Sequence, residues 1–347
     1  MEFRHILLIR TDRIGDVILT TPLISILHEE FPHSKIYFLT RQYTAPLLKH
    51  HDFLDDIFIY DPEKEHHGLA GHFRLGKFLH EKQIDIAFLF YPQVGLAFSL
   101  FMAEIPIRVG SGYRWFSFFL NHRIYEHRKY GKKHELEYNL FLLKNFIHRL
   151  PEPTEIHFRF RLDDPLLQLR KSALEKLHIQ NDYFIIHPGS GGSAPNLPPV
   201  KFKQITAYLL ENTEKTILIV GHVSEADLIH SISDEINDRR IHKIIGEWDL
   251  ETYMAVISGS QLFISNSTGP LHIARAFNIP LIAFYCPSVP CSPERWGPYN
   301  QFDSVITPAI EPCSNCNLSK CPYGNCLGLI SWETIQSKLE EKIEQLF

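Results

Sequence analysis

An aspartate between a predicted strand and a predicted helix has the clearest potential for acid–base chemistry. The segment Thr11-Asp12-Arg13-Ile14-Gly15-Asp16 follows an apolar run and leads into a helical pattern, so Asp16 falls at or near the start of that helix. The helix dipole there favours the ionised carboxylate, which could accept the proton of an attacking hydroxyl, although a lowered pKa weakens it as a base. An N-cap aspartate would occupy the same place, so the spacing leaves both roles open.

Two later loops have the composition of phosphate-binding sites. Residues 187–193 contain three glycines and two serines, and such a backbone can approach a phosphate closely. No Gly-Lys-Ser or Gly-Lys-Thr follows, and a flexible turn explains the glycines equally well. Residues 266–270 precede a predicted helix whose free amides would form an anion site, with hydroxyls from Ser267 and Thr268 and close approach at Gly269. A capped helix without a ligand is the alternative there.

An acidic residue follows a further predicted strand. Glu225 lies four residues after Gly221, where doubly wound domains often hold an acid for the hydroxyls of a ribose. An ordinary acid in the first turn of a helix is the alternative interpretation.

Each of these loops follows a predicted strand, and the alternation of strands and helices predicts an α/β fold. A helix is predicted over residues 17–30, and a proline- and charge-rich stretch interrupts the alternation before it restarts. The predicted strands cover residues 3–10, 35–40, 57–60, 84–90, 105–109, 184–187, 216–221, 241–245, 262–265 and 281–285. We therefore predict two Rossmann-like, doubly wound domains facing a central cleft, with ligands beyond the carboxyl ends of the strands.

The predicted domain limits follow the same alternation. An N-terminal Rossmann-like domain spans residues 1–150, and residues 151–180 form the linker and the start of the second domain. The C-terminal Rossmann-like domain spans residues 181–331. A final helix over residues 332–347 could pack back across the N-terminal domain.

Composition narrows the class of protein. The chain has 347 residues, of which 44% are hydrophobic and 22% charged, as in globular proteins. Its formal net charge of −5 gives no general attraction to nucleic acid, so no nucleic-acid partner is predicted. The first apolar run is too short for a signal peptide, and no run approaches the roughly 20 residues of a membrane span. We therefore expect a cytoplasmic protein.

Four cysteines near the C-terminus are spaced like metal ligands. Cys313, Cys316, Cys321 and Cys326 lie within fourteen residues, and four thiolates could close a tetrahedral structural zinc site. A single Cys-x-x-Cys is not specific, so free or loosely paired thiols are the alternative.

An aromatic run is followed by basic residues. Residues 113–120 include five aromatic side chains. The basic residues that follow are Arg123, Arg128, Lys129, Lys132 and Lys133. Such a surface would suit an anionic glycolipid at a membrane. Alternatively, the aromatics belong to the core and the basic residues form a solvated face.

Four of these motifs, in order, resemble glycosyltransferase family 9, the ADP-heptose:lipopolysaccharide heptosyltransferases. They are residues 9–17, residues 187–191, Gly221 with Glu225, and residues 265–274. The resemblance runs nearly end to end and implies a GT-B fold, an N-terminal acceptor domain, a C-terminal donor domain and inverting transfer without a metal. It also implies an ADP-heptose donor, a glycolipid acceptor and a peripheral position at the inner face of the inner membrane.

The resemblance assigns roles by position. Asp16 corresponds to the catalytic base, Ser190 to a contact with the donor phosphate, and Glu225, after Gly221, to the ribose ligand. Thr268, Gly269 and His272 correspond to contacts with the second phosphate and the sugar, and Ser267 is also placed in the predicted donor site because of its hydroxyl.

The chain departs from the family pattern at two positions. The family usually has a lysine for the donor diphosphate shortly after the His-Pro-Gly loop. Here the stretch reads Ser193-Ala194-Pro195-Asn196-Leu197-Pro198, and Lys201 comes later. An asparagine–aspartate pair of the family becomes Asn266-Ser267. A sugar-nucleotide-binding protein with another donor, or without turnover, is therefore the alternative function. An oxidoreductase is disfavoured because no G-x-G-x-x-G follows the first strand.

A metal-independent reaction is a testable consequence of the sequence. The chain contains no Asp-x-Asp to bind a divalent cation, so helix starts must offset the charge of a departing diphosphate. We expect turnover to survive treatment with EDTA, even where the cysteines hold a structural ion. Activity that is lost in EDTA and restored by magnesium or manganese would overturn this prediction.

Overall fold

The computed structural model describes residues 2–313 and 321–346. The chain forms two compact units, Met1–Arg128 with Glu135–Arg161 and Lys129–His134 with Leu162–Phe347. The segment Lys129–His134 therefore belongs to the C-terminal unit, although it lies within the N-terminal half of the sequence. Among the described residues, no helix is both long enough and apolar enough to cross a membrane.

The N-terminal unit is built on one parallel sheet. Its strands are β1 His5–Ile9, β2 Lys35–Thr40, β3 Asp56–Ile59, β4 Ile86–Leu89, β5 Ile107–Ser111 and β6 His122–Ile124. Its helices are α1 Ile14–Ile18, α2 Pro22–Glu30, α3 Gly68–Glu81, α4 Val94–Met102 and α5 Glu135–Leu140. The strand order β3-β2-β1-β4-β5-β6 is that of a doubly wound Rossmann-like sheet.

The C-terminal unit repeats this order. Its strands are β7 Tyr183–His187, β8 Thr216–Gly221, β9 Ile241–Ile245, β10 Leu262–Asn266, β11 Leu281–Phe284 and β12 Val305–Ile306. Its helices are α6 Asp164–Lys176, α7 Pro199–Asn212, α8 Ala226–Ser233, α9 Leu250–Ile257, α10 Gly269–Ala276, α11 Pro293–Trp296 and α12 Trp332–Glu344. Its sheet runs β12-β11-β10-β7-β8-β9.

The central strands are apolar along their whole length because helices cover both faces of each sheet. Every residue of β7 and β10 is buried, as are four of the five residues of β1. In each sheet the strand order reverses beside the first strand, between β1 and β4 and between β7 and β10. Ligand sites of open α/β sheets form at such switch points.

The predicted helix over residues 17–30 is wrong in its start and its continuity. The structure has two helices here, α1 beginning at Ile14 and α2 beginning at Pro22. Pro22 has no N–H group for the hydrogen bond that a residue in the interior of a helix donates, whereas it is well suited to a first turn. The break places Asp16 in the middle of a short helix.

The final helix packs within the C-terminal unit. Trp332 on α12 meets Tyr208 on α7 with ring centroids 5.9 Å apart. Near the other end of α12, the Lys342 ammonium lies 2.9 Å from the Asp303 carboxylate. These contacts assign α12 to the C-terminal unit, and its packing across the N-terminal domain stays a prediction.

Candidate functional site

Asp16 is the third residue of α1 and does not cap it. Arg13 occupies the N-cap position, and no side chain makes a capping hydrogen bond there. The Asp16 carboxylate instead accepts a hydrogen bond at Oδ1 from Nη2 of Arg10, the residue that follows β1. The N-cap alternative is therefore wrong, and the carboxylate belongs to an ion pair.

The protonation of Asp16 is governed by burial. Its side chain is only 10% exposed. Burial raises the pKa of Asp16 to about 7 against the opposing charge of Arg10, and the nearby carboxylates of Asp12 and Glu135 raise it further. The lowered pKa expected from the helix dipole is wrong because desolvation outweighs the dipole of a single short helix. A carboxylate with a pKa near neutrality is suited to act as a base at neutral pH.

Arg10 connects Asp16 to residues far along the sequence. Its Nε donates to Asp12 at 2.7 Å, and its Nη1 donates to the Asn139 amide oxygen at 3.1 Å and to Glu135 at 3.3 Å. Glu135 and Asn139 lie one turn apart on α5, and both also accept hydrogen bonds from Arg128. Apart from Asp16, the members of this group were not predicted from the sequence as site residues. Its sequence signals are the arginine at the end of the first strand and the polar pair spaced four residues apart on a helix.

The structure brings the two predicted phosphate loops together. The register of the C-terminal sheet pairs His187 with Ser265, so the loops after β7 and β10 leave the sheet side by side. The Ser193 hydroxyl donates to the carbonyls of Ser190 at 2.6 Å and Ser267 at 3.2 Å. The Asn266 amide donates to the carbonyl of Pro188 at 2.5 Å. The predicted donor contacts on these loops therefore form one cluster.

The Glu225 carboxylate accepts a hydrogen bond from the glycine-rich loop over residues 187–193. Its Oε1 accepts a hydrogen bond from the Gly191 amide at 3.2 Å, and its Oε2 accepts one from the His222 amide at 3.0 Å. A Cβ atom at Gly189 would lie 1.8 Å from Oε1, so a larger residue there would displace the Glu225 carboxylate. Gly221 also lies close to this carboxylate. Glu225 thus organises the site, and its predicted contact with a ribose stays a prediction.

The start of α10 has the features of an anion site. Thr268 is the N-cap, but its side chain makes no capping hydrogen bond, and Gly269 and Pro270 are the first two helical residues. The capping role, which was the alternative for this loop, is thus not filled by the Thr268 hydroxyl. Oriented backbone amides and a hydroxyl that makes no capping hydrogen bond can together bind a phosphate.

One turn into α10, His272 is buried and neutral. Burial and the neighbouring His134 lower the pKa of His272 to about 3. Its buried Nδ1 has no hydrogen-bond partner in the part of the chain that the structure describes. An unpaired buried polar atom is costly, and a ligand hydroxyl would satisfy it.

The position of the missing family lysine is occupied by a hydrogen-bonded loop. The Leu197 amide donates to Asn266 Oδ1 at 2.8 Å, which fixes the stretch containing Pro195 against β10. Lys201 lies on α7. The pKa of Glu333 is lowered mainly by hydrogen bonds from the backbone and from Ser331, and the positive charge of Lys201 lowers it further. Lys201 is therefore near the start of α12.

Three of the four cysteines of the predicted zinc site lie among the described residues. Cys313 is exposed, Cys321 is partly buried and Cys326 is buried in the core of the C-terminal unit. Cys316 lies outside the described residues. Zinc at these four cysteines stays a prediction.

The aromatic run divides between core and surface. Phe116 is buried and packs in the core of the N-terminal unit, whereas Trp115 is 77% exposed and Phe118 57% exposed. The interpretation of the whole run as core is therefore wrong. The side chain of Arg108 approaches the same surface, with its guanidinium 5.6 Å from the centre of the exposed Phe101 ring.

Comparison with known proteins shows similarity to glycosyltransferases. Glycosyltransferase family 9 (heptosyltransferase) matches residues 72–327. A Haemophilus influenzae protein with a provisional glycosyltransferase name is 28% identical over 351 residues, covering 95% of this chain and 98% of the relative. Lipopolysaccharide heptosyltransferase 2 of Escherichia coli is 23% identical over 303 residues, covering 82% of this chain and 83% of its own length.

A solved structure shares the fold. The E. coli ADP-heptose LPS heptosyltransferase II superposes with a TM-score of 0.79 at 19% identity, covering 99% of both chains. The predicted fold class, GT-B with two doubly wound domains, is confirmed.

Removing the Thr268 hydroxyl tests the donor cluster. We expect Thr268→Ala to weaken ADP binding by roughly 1.5 to 3 kcal/mol, the value of a hydrogen bond to a charged group. Isothermal titration calorimetry measures this effect. Thr334→Ala, near the start of α12, removes a hydroxyl from a comparable helical turn and should leave binding unchanged. An unaltered dissociation constant in folded Thr268→Ala would exclude this loop from the donor site.

Proposed function

The chain belongs to glycosyltransferase family 9 and is a glycosyltransferase; from this premise we propose that it transfers a heptose from ADP-heptose to a lipopolysaccharide core or a related glycan. The names of the E. coli relatives support this donor and this class of acceptor. The observation that carries the proposal is the buried Asp16 carboxylate, whose pKa of about 7 suits proton removal from a sugar hydroxyl.

The proposed reaction is a single displacement with inversion. The Asp16 carboxylate takes the proton of the acceptor hydroxyl while the hydroxyl oxygen forms a bond to the anomeric carbon. The bond between that carbon and the phosphate oxygen breaks, and its electron pair leaves with the nucleoside diphosphate. Arg10 holds the carboxylate in place through its ion pair. Such a base contributes roughly 100- to 10,000-fold to the rate.

The donor is proposed to bind the loops of the C-terminal unit. The amides at the start of α10 and the hydroxyls of Thr268 and Ser190 would contact the diphosphate, and Glu225 would contact the ribose. The unpaired Nδ1 of neutral His272 is suited to a sugar hydroxyl. A helix start and hydroxyl groups stabilise negative charge without a cation, which supports the proposed independence from a metal.

A different donor or a loss of turnover is the second candidate. Two observations favour it, Pro195 in the stretch where the family has a lysine and Ser267 in place of an aspartate. Without the lysine, the diphosphate has one fewer cation to contact. Without the aspartate, a carboxylate that would bind sugar hydroxyls is absent from this position. Release of nucleoside diphosphate from a panel of ADP-, GDP- and UDP-sugars, with lipopolysaccharide core acceptors, distinguishes the candidates.

A glycolipid acceptor would require the enzyme to work at a membrane surface, and we propose a peripheral position at the inner face of the inner membrane. The exposed rings of Trp115 and Phe118 support it, because aromatic side chains favour the membrane interface. Phe101 is also exposed, and its ring lies 5.5 Å from that of Phe119, which in turn contacts Phe118. Arg108 beside them would attract anionic lipid.

Replacement of Asp16 tests the proposed base. Asp16→Asn keeps the shape of the side chain and removes its basicity, so we expect turnover to fall by roughly 100- to 10,000-fold. Donor affinity should change much less. Initial rates and nucleotide binding are measured on the same folded preparation. Near-normal turnover in this variant would mean that another group removes the proton.

Replacement of the exposed aromatics tests the proposed membrane position. Burial of a large apolar side chain is worth about 1.5 to 3 kcal/mol, so Trp115→Ser with Phe118→Ser should reduce binding to phosphatidylglycerol vesicles by about tenfold or more. Co-sedimentation measures the bound fraction. The matched control replaces Tyr323 and Leu329, which are also about half exposed. Equal loss in the control, or no loss in the variant, would count against this surface.

A further inference from the structure

Two exposed tyrosines lie on either side of the loop that leads from β1 to Asp16. In the first sheet, β1 pairs with β2 on one side and with β4 on the other. Tyr43 follows β2 and is 48% exposed, and Tyr91 follows β4 and is 41% exposed. Because the three strands are parallel, their loops leave the same edge of the sheet, with neighbouring strands roughly 5 Å apart. Two large rings therefore border the loop of the proposed base.

Main-chain hydrogen bonds fix these loops beside one another. The Arg10 amide donates to the Leu39 carbonyl at 3.2 Å, where β2 ends. On the other side, the Phe90 amide donates to the Ile9 carbonyl at 3.1 Å. Tyr91 is the next residue, so its loop starts beside Arg10. The positions of both loops relative to the loop of Asp16 are thus set by the sheet.

Tyr43 is also held by its hydroxyl group. The hydroxyl donates to the main-chain carbonyl of Asp12, which lies on the same loop as Asp16. Asp12 is itself held by Arg10, whose Nε donates to its carboxylate at 2.7 Å. Burial raises the pKa of Tyr43, and the charges of Asp12 and Asp16 raise it further, so the phenol lies close to the proposed base. An exposed aromatic ring is therefore kept in one position near Asp16.

The chemistry of this surface suits a carbohydrate. A sugar ring carries hydroxyl groups around its rim and apolar C–H groups on its faces. An aromatic ring covers such a face, and a ring that is already fixed loses little conformational entropy on binding. Small-molecule sites commonly combine aromatic walls with a few precisely placed polar groups. Here the polar group between the two rings is the Asp16 carboxylate.

We infer that Tyr43 and Tyr91 form an aromatic platform that stacks on the sugar of the acceptor and presents its hydroxyl to Asp16. The inference deepens the proposed function and rests on it, including the role of Asp16 as the base. The loops proposed for the donor belong to the C-terminal unit, so the platform contributes to acceptor binding and leaves nucleotide binding unaffected.

A purely structural role for Tyr43 is separable from stacking. In that case its hydroxyl would support the loop of the base through Asp12, and the ring would not touch the acceptor. Tyr43→Phe removes the hydrogen bond and keeps the ring, whereas Tyr43→Ala removes both. Stacking predicts a mild effect of phenylalanine and a large effect of alanine. Support of the loop alone predicts that both variants are equally impaired, with a lower kcat and an unchanged KM for the acceptor.

The experiment is steady-state kinetics with a lipopolysaccharide core oligosaccharide that has been freed of its lipid, so that membrane contact does not contribute. We expect Tyr43→Ala and Tyr91→Ala each to raise the KM for this acceptor by about tenfold, because each removes one stacked ring. Phenylalanine at either position should raise the KM much less. Isothermal titration calorimetry should show an unchanged affinity for ADP in all four variants.

Two further variants complete the test. Tyr323→Ala removes an equally exposed ring, 49% exposed, from the C-terminal unit and should leave the KM for the acceptor unchanged. Tyr43→Leu keeps an apolar side chain without a flat ring, and it should also raise this KM, which preserves the test if Tyr43→Ala does not fold. An unchanged KM in the folded variants that lack either ring, or an equal rise in Tyr323→Ala, overturns the inference. Equal impairment of Tyr43→Phe and Tyr43→Ala overturns it as well.

The proposed function fails in a different way. If the wild-type enzyme transfers no sugar to any glycan acceptor, the proposed acceptor class is wrong, and the platform is wrong with it. Near-normal turnover in Asp16→Asn refutes the base and appears in kcat, whereas loss of the platform appears in the KM for the acceptor. With transfer and the base established, a KM that does not move in the tyrosine variants refutes the platform alone.

Discussion

A buried guanidinium among carboxylates is the constraint on which the N-terminal unit depends. Arg10 is almost inaccessible to solvent, and an arginine in that position must find acceptors for its donors within the protein. The acceptors are the carboxylates of Asp12 on the loop after β1, Asp16 on α1 and Glu135 on α5. Removing one partner would leave an uncompensated charge, so these three segments hold one another in place. The position of the proposed base is thus fixed by ion pairs, because helix α1 has only five residues of its own.

The same sheet topology, used twice, decides where the chemistry-bearing loops lie. In both units the strand order reverses beside the first strand, which opens a space beyond the carboxyl ends of the central strands. The loop after β1 carries Arg10 and Asp16 into this region of the first sheet. The neighbouring strands β7 and β10 carry their loops into the equivalent region of the second sheet. The residues are far apart in sequence, and the hydrogen bonds made by Ser193 and Asn266 show that the two loops form one structure.

The fold and the loops could be predicted from sequence because they depend on local patterns. Buried parallel strands are continuous apolar runs, and the loops between them are marked by glycine, proline and hydroxyl residues. The short edge strands β6 and β12 have only three and two residues, too few to give a pattern. The direction of the Asp16 pKa could not be predicted, because the helix dipole is local whereas burial and the charge of Glu135 come from elsewhere in the fold. Glu135 lies 125 residues from Arg10, and no local sequence pattern pairs one with the other.

The proposed function gives the two units different electrostatic roles. In the proposed function the N-terminal unit supplies a carboxylate that accepts a proton, and burial raises the pKa of Asp16 in the direction that this role needs. The proposed function also has the C-terminal unit bind a negative diphosphate, and the groups proposed for this task are uncharged: the amides at the start of α10, the Thr268 hydroxyl and the neutral His272. With the pKa of His272 lowered to about 3, these groups do not change charge near neutral pH. If the donor binds as proposed, the pH dependence of the reaction near neutrality arises in the ion-pair group of the N-terminal unit. Donor affinity then stays constant over the range in which Asp16 gains and loses its proton.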